Sequence, residues 1–185
     1  MTNLDGPRGF TVVHAGKYRH NLYAIDTGVA TAIYPGDLVS MTGDTLGEYP
    51  GADVMSAASD DYVGPVTALY NTAWKPVSTL AASTAGYALV CDDPDAVLEV
   101  QTDDGGTALT GAATGDCTDA IWTHAGSGSR AGVELDESTL AGNGADAQFR
   151  ILYKAHLPNN DYGEHYIRFH VVAHEHAFNT TSVAI

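Results

Sequence analysis

A chain of 185 residues with 44% hydrophobic side chains is long enough to bury a proper core without staples, and one domain is the expectation. Eight Lys and Arg stand against 23 Asp and Glu, a formal charge of −15. That balance repels a phosphate backbone and sets nucleic acid aside as a partner. No run approaches the ~18 apolar residues that span a bilayer, so no membrane partner is expected either.

The opening MTNLDGPRGF has no basic region followed by an apolar stretch and no small-residue cleavage site, so no signal peptide is expected. Without an export signal, Cys91 and Cys117 are expected as free thiols, although a fold that brought them together would let them pair.

In chain order, residues 10–14, 19–25, 31–34 and 37–41 are short, rich in β formers and bounded by Gly, Pro or Asp, as strands are. Tyr34-Pro35-Gly36-Asp37 is a turn, with Pro presetting φ and Gly tolerating the third position. Residues 44–52, with Gly47, Pro50 and Gly51, predict a loop. Strands follow at 62–70, with Gly64-Pro65 marking a bulge or edge, and at 87–91 and 96–102, joined by the polar turn Asp92-Asp93-Pro94-Asp95. Residues 107–147 are less regular, with apolar anchors at 119–124 and 133–135 and a short helix near 136–140 capped by Asp136.

Two stronger strands, 148–156 and 165–175, end the pattern. No apolar period of 3.6 lasts three turns, which argues against a helical or βαβ protein. About ten strands at 8–12-residue spacing predict an all-β barrel or sandwich-like single domain over residues 10–178. Residues 1–9 are expected to form a flexible N-terminal arm and 179–185 a C-terminal tail, with long loops between the strands.

The histidines are the first candidate site. Alternation puts Arg168, His170, Val172, His174 and His176 on one strand face, and Ile167, Phe169, Val171 and Ala173 on the other. Three imidazoles on one face could contribute to a Zn²⁺ or Fe²⁺ site, which makes His170, His174 and His176 weak metal candidates. Glu175 points the other way, and the glycines and downstream acid of a barrel metal motif are missing. A polar strand face at a subunit boundary accounts for the same residues, so no metal and no other cofactor is expected.

Asp92, Asp93 and Asp95 could hold Ca²⁺ with Asp103 and Asp104 if their turns converge, but they lack the alternating ladder of an ion-binding loop, and a solvated turn is the simpler account. Gly126-Ser127-Gly128-Ser129 has no strand-to-helix context for a nucleophile. Gly111 to Asp116 carries acid where a phosphate loop needs Lys. No catalytic residue is expected. Tyr18, Tyr23, Tyr34, Tyr62, Trp74, Tyr87 and Trp122 could form a sugar platform, although packing is the commoner use of such rings.

The stretch Gly86-Tyr-Ala-Leu-Val-Cys-Asp-Asp-Pro-Asp95-Ala-Val-Leu-Glu-Val-Gln101 resembles a segment of the head decoration (cement) proteins of tailed bacteriophages, especially those of marine and cyanobacterial viruses. Collinear likenesses follow at 129–136, at Phe149-Arg-Ile-Leu152 and at Pro158-Asn-Asn-Asp-Tyr-Gly163, and together they cover about residues 60–178. The resemblance implies a β-barrel-like virion protein that clamps the major capsid protein on the outer shell, assembled in host cytoplasm and often homotrimeric. It carries over no catalytic residues, and the ending from His170 to His176 departs from the expected pattern.

Contact with the shell or with other copies is expected at the arm, Met1, Thr2, Asn3, Leu4, Asp5, Gly6, Pro7, Arg8 and Gly9, whose glycines and proline give it no intrinsic fold. Two other classes stay in view: a receptor- or glycan-binding structural module, and a metal-dependent β-barrel enzyme.

Overall fold

The computed structural model describes residues 3, 5–15, 19–55, 62–122, 131–142 and 147–178, without the side chains of Asp44 and Leu46. Met1, Thr2, Leu4, Tyr18, the Gly126–Ser129 loop and the expected tail lie outside the described residues. The fold is all-β, a single sandwich-like domain, with no α-helix among the described residues.

Five strands form one half: β2 (Asn21–Ile25), β3 (Leu38–Leu46), β4 (Tyr49–Val54), β5 (Tyr62–Asn71) and β7 (Gly86–Val90). Their order is β3-β4-β2-β7-β5, and β5 pairs back onto β3, so the ring closes into a small barrel, with β6 (Pro76–Val77) added outside β5. Closure removes the free edges that would otherwise invite pairing with another chain. The seam between β2 and β4 is a single parallel pair, Ala24 with Gly51. Tyr23, Ile25, Val39, Ala52, Val63, Val66, Leu69, Ala88 and Val90 fill the interior, capped by Val29, Ile33 and Leu80 from the connections.

The other half is an open antiparallel sheet in the order β1-β8-β13-β12-β9. Its strands are β1 (Thr11–His14), β8 (Val97–Gln101), β9 (Cys117–Thr118), β12 (Phe149–Lys154) and β13 (Arg168–Ala173). A hairpin of β10 (Ala120–Trp122) and β11 (Val133–Leu135) supplies Ala120, Val133 and Leu135 to the sheet's core. Leu98, Val100, Phe149, Ile151, Phe169 and Val171 face that core because alternate residues of a strand point to one side.

The halves share strands. Leu38, Tyr62 and Cys91 belong to the sheet-side core, while their neighbours Val39, Val63 and Val90 belong to the barrel interior. Phe149 of β12 sits at the junction, its ring centroid 4.6 Å from Phe10 and 5.0 Å from Tyr62. Gly64 is required where the wall is tightest, since a Cβ there would lie 2.0 Å from the Cys91 carbonyl oxygen. Cys91 and Cys117 are both buried free thiols.

The expected loop at 44–52 is instead a hairpin. Leu46 pairs with Tyr49 and Thr45 with Pro50 around a turn in which Gly47 takes φ +69°. Gly43 and Pro50 are tolerated because the β3–β4 register slips between Met41 and Thr45, which relaxes the ladder there. The expected strand at 31–34 reduces to one bridge, Ile33 with Leu80. The Asp136 cap forms as expected, accepting from the Ser138 N–H, over a single 3-10 turn, Glu137–Thr139.

Among its described residues, Asn3 and Asp5 to Gly9, the segment expected to be an arm has no strand and is tied to the domain. The Asn3 side chain donates to the carbonyls of Asp161 and His165 and accepts from the Asp161 N–H at 3.0 Å. At Gly9 the backbone passes so close to Gly36 that a Cβ would lie 2.3 Å from the Gly36 carbonyl oxygen, which takes the Phe10 N–H at 2.8 Å.

Because Phe149 fills the junction of both halves, Phe149→Ala should cost about 3–5 kcal/mol. Denaturant unfolding followed separately by far-UV circular dichroism and by tryptophan fluorescence should still give one coincident transition. Separated midpoints in the native chain would show that the halves are not coupled through this wall.

Candidate functional site

The outer wall of the barrel carries an aromatic cluster that belongs to neither core. Tyr70 of β5 and Tyr87 of β7 are direct cross-strand partners, and Ala24 of β2 is the partner of Tyr87 on its other side. Paired residues share a face, and Ala24 is small, so Tyr49 of β4 reaches across β2 to meet Tyr87 at a centroid distance of 5.4 Å. Trp74, from the turn between β5 and β6, stacks on Tyr87 at 4.2 Å with the planes 7° apart. Tyr49 crosses Trp74 at 63°, and Tyr70 lies 6.5 Å from the indole. The result is a four-ring surface with Trp74 outermost, 47% exposed.

The loop presenting Trp74 is closed by hydrogen bonds. The Asn71 side-chain oxygen accepts from the N–H groups of Ala73 and Lys75, both at 3.0 Å, and the Asn71 backbone closes the turn by bonding Trp74 and Lys75. Trp74 has φ +60°, a left-handed conformation that is uncommon for so bulky a residue. Strain of this kind is held where surrounding structure over-determines it, often at binding sites. None of the phenol hydroxyls of Tyr49, Tyr70 and Tyr87 has a hydrogen-bond partner among the described residues.

Of the rings named from sequence, Tyr23 and Tyr62 are core residues, and Tyr34 and Trp122 pack against the sheet-side core. Among the described residues, Trp74 and Tyr87 are the named rings that come together at the surface, joined by Tyr49 and Tyr70, which the sequence did not single out. The available signal was the pairing of small Ala24 between two tyrosine-bearing strands, and it becomes visible only once register is known.

The histidine candidates do not converge. His170 Nε2 lies 3.4 Å from Glu99, and its ring packs on Tyr153. Past the end of β13, the N–H groups of His174 and Glu175 both donate to the Gln148 carbonyl, at 2.8 and 3.2 Å, and this shared acceptor bends the chain. The alternation therefore stops. His174 Nδ1 donates to the Ala147 carbonyl, while His176 turns inward, edge-to-face with Tyr62 at 5.1 Å, and burial pushes its imidazole pKa down. Among the described residues no three His, Cys, Asp or Glu side chains gather at metal-binding spacing.

The acidic turns lie at opposite ends of β8 and do different work. Asp92 is a clasp, its Oδ2 accepting from Asn21 Nδ2 at 2.8 Å and Tyr23 OH at 2.9 Å, with Arg19 at 3.5 Å. Asp93 caps its own turn by accepting from the Asp95 N–H. Asp103 accepts from the N–H of Glu137, whose buried carboxylate takes Thr102 Oγ1 and His165 Nδ1, both at 2.7 Å. Burial pushes the Glu137 pKa up against the pull of those two bonds. This network secures a turn, and among the described residues no hydroxyl or thiol bonds the remaining nitrogen of His165. Gly111–Ala113 is a 3-10 turn capped by Thr110.

Comparison with protein-family models, with curated proteins and with solved structures gives no match in any of the three.

Because His170, His174 and His176 point to separate partners, protein purified without a His-tag or added metal should contain no stoichiometric Zn or Fe by elemental analysis. About one metal per chain, lost on His174→Ala with His176→Ala, would contradict this.

Proposed function

We propose that the protein decorates the outer surface of a tailed-phage head, binding the major capsid protein and stabilising the assembled shell, with no catalytic role. The observation that carries this reading is the segment that resembles phage cement proteins. Residues 86–101 comprise β7, the Asp92–Asp95 turn and β8, and so form the crossing from barrel to open sheet. Asp92 pins that crossing to β2 through Asn21 and Tyr23. The longest stretch of the likeness thus includes the crossing that joins the two halves, which suits a clamp.

The charge of −15 supports the same role, since it keeps a protein soluble while it coats a surface. In this reading the shell is met on the side of the N-terminal segment, where Asn3, Asp5 and Gly6 lie against the open-sheet half. Self-association, with a trimer as the expected form, would let one particle bridge several capsid subunits, each further contact gaining effective concentration.

A ligand that binds only the assembled lattice stabilises it by linkage, about 2.7 kcal/mol per site at hundredfold saturation. Heads bearing this protein should therefore open at a higher temperature than bare heads in differential scanning calorimetry. Identical melting at saturating protein would end the proposal.

A further inference from the structure

The aromatic cluster on the barrel wall is not needed for either core, and it sits on different elements from the N-terminal segment assigned to shell contact. We infer that it is a carbohydrate-binding site centred on Trp74, taking an uncharged oligosaccharide by stacking a sugar ring on the indole.

Three observations point to this ligand class. The first is shape. One face of the indole is covered by Tyr87 at 4.2 Å, yet Trp74 remains 47% exposed, leaving apolar ring surface open to solvent. A pyranose offers a matching apolar C–H face. The second is polarity. The rings around the indole end in three phenol hydroxyls with no partner among the described residues, and each can both donate and accept. Sugar hydroxyls around an apolar face need that combination, whereas an aliphatic protein patch would leave those phenols desolvated and unpaired.

The third is charge and rigidity. Tyr and Trp side chains are neutral, so the ring surface itself offers no charge to an ionic ligand, although Glu48 and Lys75 adjoin Tyr49 and Trp74 in sequence. The Asn71 clamp and the left-handed Trp74 backbone hold the indole in place before any ligand arrives, which lowers the entropy cost of binding. This inference does not rest on the capsid reading. A decoration protein or a free binding module could carry the site equally well.

The test uses the full native chain with maltohexaose, cellohexaose, mannohexaose and hexa-N-acetylchitohexaose as probes, followed by tryptophan emission and by isothermal titration calorimetry. At least one probe should bind saturably with a Kd of about 1 mM or tighter. Trp74→Ala should weaken that binding at least tenfold and Trp74→Phe less, while Trp122→Phe leaves it unchanged. Trp74 lies outside both cores, so Trp74→Ala should melt like the native chain and bind phage heads as well as it does. No saturable binding by any of the four probes up to ~10 mM would overturn the inference. So would unchanged sugar binding by Trp74→Ala, or loss of head binding in that variant without any sugar binding, which would make the cluster a protein contact.

Discussion

Three pairs of neighbouring residues, Leu38 and Val39, Tyr62 and Val63, Val90 and Cys91, each send one side chain into the sheet-side core and the next into the barrel. Because strand side chains alternate, a strand buried on both faces can serve two cores at once. The wall they form is the constraint on which the rest of the molecule depends. A slip of one residue in β3 or β5 would exchange the two sets, emptying both cores of their partners, so register is fixed from both sides. Phe149 closes the wall from the sheet, and Phe10 brings the N-terminal segment into the same contact.

That wall also explains which parts of the fold were legible in sequence. Strands 11–14, 21–25, 86–90 and 97–101 carry β-branched or aromatic residues between turn formers, and they form close to where the pattern places them. The barrel or sandwich character follows from their number and spacing. The β3–β4 hairpin was hidden because Gly43, Gly47 and Pro50 break the local pattern, while the fold admits them through a register slip and a left-handed turn. β6 and β9 are two-residue strands that exist only through their partners, β5 and β12, and no local signal marks them.

The candidate sites divide the same way. Alternation placed Arg168, His170 and Val172 on one face of β13 correctly, but it could not show that two N–H groups share the Gln148 carbonyl and end the strand before His176. Trp74 and Tyr87 were visible as aromatics. Their assembly with Tyr49 and Tyr70 depends on long-range pairing across Ala24, a property of register that one chain read locally does not display.

The molecule thus combines a two-core body, an N-terminal segment tethered to it and an exposed aromatic surface on the barrel. Its proposed attachment to a phage head is tested most directly by a cryo-EM difference map between heads with and without the protein. External density at junctions between capsid subunits, fitted by the joined barrel and sheet with the N-terminal segment against the shell, is the predicted result. A difference map with no added external density at saturating protein would contradict it.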